Sequence, residues 1–256
     1  MTVVRYNQAD LSAGQRKALI DAILTLKRVR RRGAAVSVYD EFVRTHDRFF
    51  SGIGGMTPTH AHGSWSFLPW HRRFLLDFEN ALRLVNPRVS VPWWNWQTAN
   101  TPRDRLFADD FFGPADDRTP NRSPFFRAAT WPMNVPGQLD SRTLRRRLRP
   151  RVLPRTVPRP PLFLLFTDRL EEGPHNAVHN ALGGHMSSGV SPNDPLFWLH
   201  HCFIDRIWSI WQQENGVGNY PVRGSGRNLG RYDRMNPWRI PPQDVLDHRP
   251  WYRYAT

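Results

Sequence analysis

Cysteine is nearly missing from this sequence. One residue in 256, Cys202, carries a thiol, which excludes an intrachain disulfide and every metal site built from clustered thiolates. Any metal here has to be held by His, Asp or Glu. Lysine is almost as scarce: Lys17 and Lys27 are two of 36 basic residues. The formal net charge of +14 is therefore an arginine charge. It is densest at Arg142, Arg145, Arg146, Arg147, Arg149, Arg151, Arg155 and Arg159, among the prolines of the 142–161 segment. A GC-rich genome raises Arg, Pro and Ala codons together, so the charge points to a solvated face or an acidic partner. No nucleic-acid motif accompanies it, and no specific nucleic acid is expected. Also missing is an apolar run of the roughly 18–20 residues a membrane span needs. The start, MTVVRYNQADLSAGQRK, lacks the apolar core of a secretory leader. The expectation is no membrane association, and a chain that is cytoplasmic or exported with a partner.

What is present describes a packed protein: 39% hydrophobic residues, 12% aromatic, and eleven tryptophans. No repeat divides the chain, and 1–256 is expected to form one domain. Ser12 can cap a helix over 13–31, and a second helix is expected over 36–50, broken by Gly52, Gly54, Gly55 and Pro58. Pro69 is placed to open a third, WHRRFLLDFENALRLV. From VPWWNW at 91–96 to about 168, periodicity fades into long ordered loops with short helices, anchored by Trp93, Trp94, Trp96 and Trp131. Pro174 stands at a plausible first position for HNAVHNAL, stopped by Gly183 and Gly184. Asn193 or Asp194 can cap a last helix, opened by Pro195 and running FWLHHCFIDRIWSIWQQ. The fold class is mainly α, a helical bundle with long ordered loops and little sheet.

Ten histidines occur, and several fall on apolar helix faces. His46, His71, His175, His179 and one of His200 and His201 lie on the inward stripes of four different helices. Burying that many imidazoles in one core is costly without compensation, and a metal centre supplies it. His175 and His179, four residues apart, project from one face and can grip one ion. No Glu follows the first of them, so this is not the HExxH of metalloproteases. His201 shares a stripe with Phe197, Ile204, Trp208 and Trp211, whereas His200 shares one with Leu196, Phe203 and Ile207. Periodicity does not choose between them. Imidazole-only ligation suits copper, zinc, iron or nickel. Two clusters, one from each half of the chain, imply two metals.

THAHGSWSFLPWHRRFLLDFE and SPNDPLFWLHHCFIDRIW resemble the two copper-binding signatures of tyrosinases. RYNQADLS and DEFVRTH resemble the bacterial, Streptomyces-type branch. The resemblance runs over nearly the whole chain. It implies two copper ions with O2 as co-substrate: His46, His62 and His71 for the first copper, and His175, His179 and His201 for the second. It also implies ortho-hydroxylation of monophenols and oxidation of o-diphenols to o-quinones, as in melanin formation. Glu171 and Asn176 match a family pair that holds a water able to deprotonate the incoming phenol; alternatively, Glu171 only favours a helix start. Asp205, one turn beyond His201, could fix an imidazole or pair with Arg72 or Arg206. A small helper protein of the caddie type, which loads copper, is a possible partner of this branch.

Departures from the family pattern bear on substrate. The segment before His175 is shorter than in bacterial relatives, and Glu172 and Gly173 replace a pocket-wall Trp. Asn180 and Gly189 stand at positions that face substrate in the family, so the resemblance implies an open, polar pocket. His60 occupies the place of a fungal Cys that bonds a neighbouring ligand, which excludes that thioether. The alternatives are a catechol or o-aminophenol oxidase without strong monophenol activity, or a non-catalytic O2-binding dicopper protein.

Overall fold

Ser12 starts the first long helix by exchanging hydrogen bonds with Gln15. Its Oγ accepts from Gln15 N (3.2 Å) and Gln15 Oε1 accepts from Ser12 N (2.9 Å), which satisfies two otherwise orphaned donors. The computed structural model describes residues 2–51, 60–114, 122–125, 131 and 153–256. The breaker segment from 52 to 58 and the arginine run from 142 to 151 lie outside them. Helix α1 (Ala13–Arg28) ends three residues earlier than expected, as Val29 turns extended. One more turn would have stacked Arg28, Arg31 and Arg32 at like-charge spacing. Helix α2 (Val38–Ser51) begins where Ser37 Oγ accepts from Asp40 N (3.1 Å).

Helix α3 (Phe67–Val85) starts two residues before Pro69 rather than at it. A proline in the first turn costs nothing in hydrogen bonding, because those N–H groups have no intrahelical acceptor. Pro174 departs further from expectation. Helix α4 (Phe163–Leu170) does not stop before the histidine pair. It passes through one π turn, Glu171–His175, into α5 (Asn176–Leu182), with Pro174 inside the wide turn. The backbone stays helical throughout, and the wider ring accommodates a proline that an α-turn would reject. Gly183 (φ 64°) and Gly184 (φ 59°) end α5 in the left-handed region, as expected.

Helix α6 (Leu196–Asn215) follows Pro195. Neither candidate is the N-cap, a position Pro195 takes; Asp194 lies one residue before it, where its Oδ1 accepts from Leu196 N (3.0 Å). A short α7 (Gln243–Leu246) precedes the small sheet, in which β1 (Val3–Arg5) and β2 (Tyr252–Tyr254) pair in parallel from opposite ends of the chain.

Helix α3 packs on α1 and α6, and α1 also packs on α2. Between them Phe78 stacks on Trp198 (3.6 Å, 5°). Trp94, Trp96 and Trp131 are fully buried and Trp93 nearly so, the anchoring role expected of them. Beside this core lies a buried ionic cluster. Arg5 pairs with Glu79 (3.0 Å) and Asp205 (3.4 Å), and Arg72 with Asp205 (2.6 Å). Arg72 also donates to the carbonyls of Val245 (3.2 Å) and Leu246 (2.5 Å), tying α7 to α3.

Candidate metal centre

Four helical stretches, the π turn and α5 counted as one, deliver six imidazoles to the middle of the bundle, and the segment before α3 delivers a seventh. His46 comes from α2, His71 from α3, His175 and His179 from the π turn and α5, and His200 and His201 from α6. His62 comes from the segment just before α3. One ring nitrogen from each of His46, His62 and His71 lies within 4.8 Å of the others. The same holds for His175, His179, His200 and His201. The two groups face each other: His71 stacks on His201 (4.2 Å, 11°), and the rings of His62 and His175 are 5.5 Å apart.

Hydrogen bonding fixes which nitrogen faces inward for five of the seven rings. Nδ1 of His46 donates to Gly189 O (2.7 Å), that of His71 to Phe67 O (2.9 Å), and that of His179 to Met186 O (2.5 Å). Nδ1 of His175 has Asn176 Oδ1 at 3.0 Å and Glu171 O at 3.3 Å. Nδ1 of His62 has Glu171 Oε1 at 3.2 Å. A carbonyl or carboxylate oxygen can only accept, so these five rings carry their proton on Nδ1 and present the Nε2 lone pair. Burial lowers the basicity of all seven rings. It takes His62 to about 3 and His179 to about 4, and His46, His71, His175, His200 and His201 well below the usual value. The imidazoles are therefore neutral near pH 7.

That arrangement leaves lone pairs without donors. Nε2 of His71 and of His175 are buried with no partner. Nε2 of His46 and His62 lie 3.1 Å apart, two acceptors pointed at one another. Nε2 of His179 is 3.3 Å from that of His201, a ring whose Nδ1 has no partner to fix its tautomer. Converging buried lone pairs are unfavourable alone and favourable around a cation. Nδ1 donation to carbonyl or carboxylate is also the usual outer support of a metal-binding histidine. The residues fit a metal.

His200 belongs to the second group by distance but differs in setting. Neither of its nitrogens meets hydrogen-bond geometry, although the His175 carbonyl is close enough to favour its protonated form. His60 stays outside both groups: its Nδ1 accepts from Asn236 N (3.1 Å). Asp205 makes no hydrogen bond to an imidazole among the described residues. It accepts from Arg72, Arg5, Tyr252 and Tyr254, which is the arginine-pair reading, while Arg206 lies over the Trp93 ring instead (4.2 Å). Glu171 is buried, accepts from Gly63 N (2.7 Å) as well as contacting His62, and burial raises it to about 7. Asn176 and Asn180 are exposed, whereas Gly189 is buried beneath His46. The carbonyls of Met186, Gly189 and Phe67 escaped sequence reading, because a backbone acceptor has no residue signature.

The chain matches the family model for the common central domain of tyrosinase over residues 36–161 and 164–214. It is 39% identical to a tyrosinase of Streptomyces glaucescens, with 99% of each chain covered. It is 31% identical to grixazone synthase of Streptomyces griseus, again with 99% of each covered. A solved polyphenol oxidase variant from Thermothelomyces thermophila has the same fold, with a TM-score of 0.70 at 21% identity over 100% of this chain and 89% of that one. Bundle, histidine centre and relatives define a copper-dependent oxidoreductase. The chain belongs to the tyrosinase family, in its Streptomyces-type branch. Among the described residues no helix is long and apolar enough to cross a membrane.

Proposed function

We propose that the centre holds two copper ions and that the enzyme uses O2 to hydroxylate monophenols at the ortho position and to oxidise o-diphenols to o-quinones. The carrying observation is the pair of facing histidine groups with inward lone pairs. In this reading His46, His62 and His71 hold one ion, and His175, His179 and His201 the other. Copper, when bound, supplies the redox chemistry, moving electrons from phenol to O2 through its one-electron couple.

The protein's own part is positioning and proton handling. Met186, Gly189 and Phe67 carbonyls, Asn176 and Glu171 keep the rings in one tautomer and direction. Glu171, at the start of the π turn, and Asn176, the first residue of α5, flank the centre, and together they hold a water that takes the proton of an incoming phenol. Their contacts to His62 and His175 leave Glu171 Oε2 and the Asn176 amide nitrogen to do this. Asn180 and Gly189 belong to the substrate face.

A second reading, a catechol or o-aminophenol oxidase, is favoured by one observation. The oxygens of both Glu171 and Asn176 named above are already committed to ligand rings. A third, an O2 carrier without catalysis, predicts no turnover. Copper-loaded protein offered tyrosine, tyramine, catechol and o-aminophenol separates them. Quinone formation from the phenols and the catechol supports the first. Oxidation of catechol and aminophenol alone supports the second, and reversible O2 uptake without product overturns both. A caddie-type helper is tested by comparing copper uptake with and without such a partner.

A further inference from the structure

The connection between α5 and α6 serves the two histidine groups together. Met186 O receives Nδ1–H of His179 (2.5 Å) and Gly189 O receives that of His46 (2.7 Å). The acceptors stand close together in one loop, yet the rings belong to different groups. One loop thus sets the direction of an imidazole on each side of the centre. His71 is independent of it, because its acceptor, Phe67 O, lies in its own helix.

The loop is fastened from α1, a helix without histidine. Lys27 is buried, at 1% exposure. Its Nζ donates to Asn193 Oδ1 (2.8 Å) and pairs with Asp40 Oδ1 (2.5 Å). It also sits 4.6 Å from the centroid of the Trp131 ring. Asn193 transmits the contact: its Nδ2 is 3.0 Å from His185 Nδ1, and its carbonyl accepts from Trp131 Nε1 (3.1 Å). Tyr39 Oη donates to the adjacent Pro192 O (2.5 Å). Asp40 is itself held by Ser37 Oγ (2.8 Å). A buried ion pair is often no more stabilising than an apolar pair of like volume. What an ammonium adds is a directed hydrogen bond, and this one points at the loop.

We propose that Lys27 is a positioning residue for both halves of the metal centre, acting through Asn193 on the loop whose carbonyls aim His46 and His179. Its bearing on catalysis rests on the reading of those two residues as copper ligands; its bearing on ring geometry does not. The competing view is a plain α1–α2 ion pair with no reach beyond Asp40.

The test follows the ring N–H protons by NMR in full-length protein labelled with 15N-histidine. Spectra are taken metal-free and loaded with Cu(I), which is diamagnetic. Two variants are compared with the parent: Lys27→Met, and the double variant Lys27→Met with Asp40→Leu, which removes both charges and so protects folding. Loss of a charged hydrogen bond should let the loop open about tenfold more often, so the Nδ1–H of His46 and His179 exchange about tenfold faster. The Nδ1–H of His71 should stay within about twofold of the parent. Equal acceleration of all three would mean general loosening, and no change in the folded double variant would mean an ion pair only. Either overturns the proposal. The metal-free spectra decide the effect on the rings. Unchanged copper content and unchanged catechol turnover in a variant whose rings have loosened would overturn the link to the metal centre, whereas copper bound without the three-plus-three histidines would sink the ligand assignment separately.

Discussion

Glu171 Oε1 lies 3.2 Å from Nδ1 of His62, so a carboxylate from the turn that carries His175 of the second group holds a ring of the first. The same oxygen accepts from Gly63 N (2.7 Å). Glu171 is therefore more than a favourable charge at a helix start, since α4 runs through it without a break. Replacing it separates its structural contact from its proposed role with water.

Glu171→Gln keeps an oxygen for Gly63 and His62 but removes the base. Copper content should be unchanged, and phenol hydroxylation should fall by about 10²–10⁴-fold, the usual scale of general-base help. Catechol oxidation, which needs that proton transfer less, should fall far less. Steady-state rates on tyramine and catechol, with metal analysis alongside, check this. Equal losses on both substrates would reduce Glu171 to a support for His62.

The paired histidines of α6 make a second prediction. His201 stacks on His71 and its Nε2 faces that of His179 (3.3 Å). His200 instead stacks on His175 (5.4 Å, 20°) and packs toward Trp96. His201→Ala should bind one copper fewer per chain and lose both activities, as should His179→Ala. His200→Ala should keep its copper. Metal content of the three purified variants decides, and the reverse pattern for His200 and His201 would exchange their roles.

Asp205 makes a prediction about stability. Burial alone would raise its carboxyl, but Arg72 and then Arg5 more than offset this and hold it at about 2, below the ordinary 3.8. A folded-state value below the unfolded one means stabilisation that is complete above about pH 4 and lost as pH falls toward 2. Asp205→Asn should cost about 3–5 kcal/mol near neutral pH by leaving Arg72 unpaired. It should also flatten the acid limb of the stability curve between pH 4 and 2. Denaturant titrations across that range measure both, and a variant as stable as the parent would contradict the buried-pair account.

The long helices and the histidine stripes were legible because they rest on local periodicity and on caps such as Ser12. Their boundaries were less so. Pro69 and Pro174 read as helix starts, but the first turn tolerates one and a π turn absorbs the other. The β1–β2 pair was invisible, since three-residue strands at opposite chain ends carry no local pattern. Within the site, helix periodicity located His46, His71, His175 and His179, and the family resemblance added His62 and chose His201. The acceptors behind the rings are mostly backbone carbonyls. Lys27, which read as one of two stray lysines, shows its place only once α1 is packed against the α5–α6 loop.

The most direct test of the central reading is the copper bound per chain after reconstitution and removal of loosely held metal. Neutral, inward-facing imidazoles in two facing groups predict two copper ions per chain, falling to one when His46→Ala or His179→Ala removes a ligand from either group. One copper in the parent chain, or a preference for zinc with no oxidase activity, would contradict it.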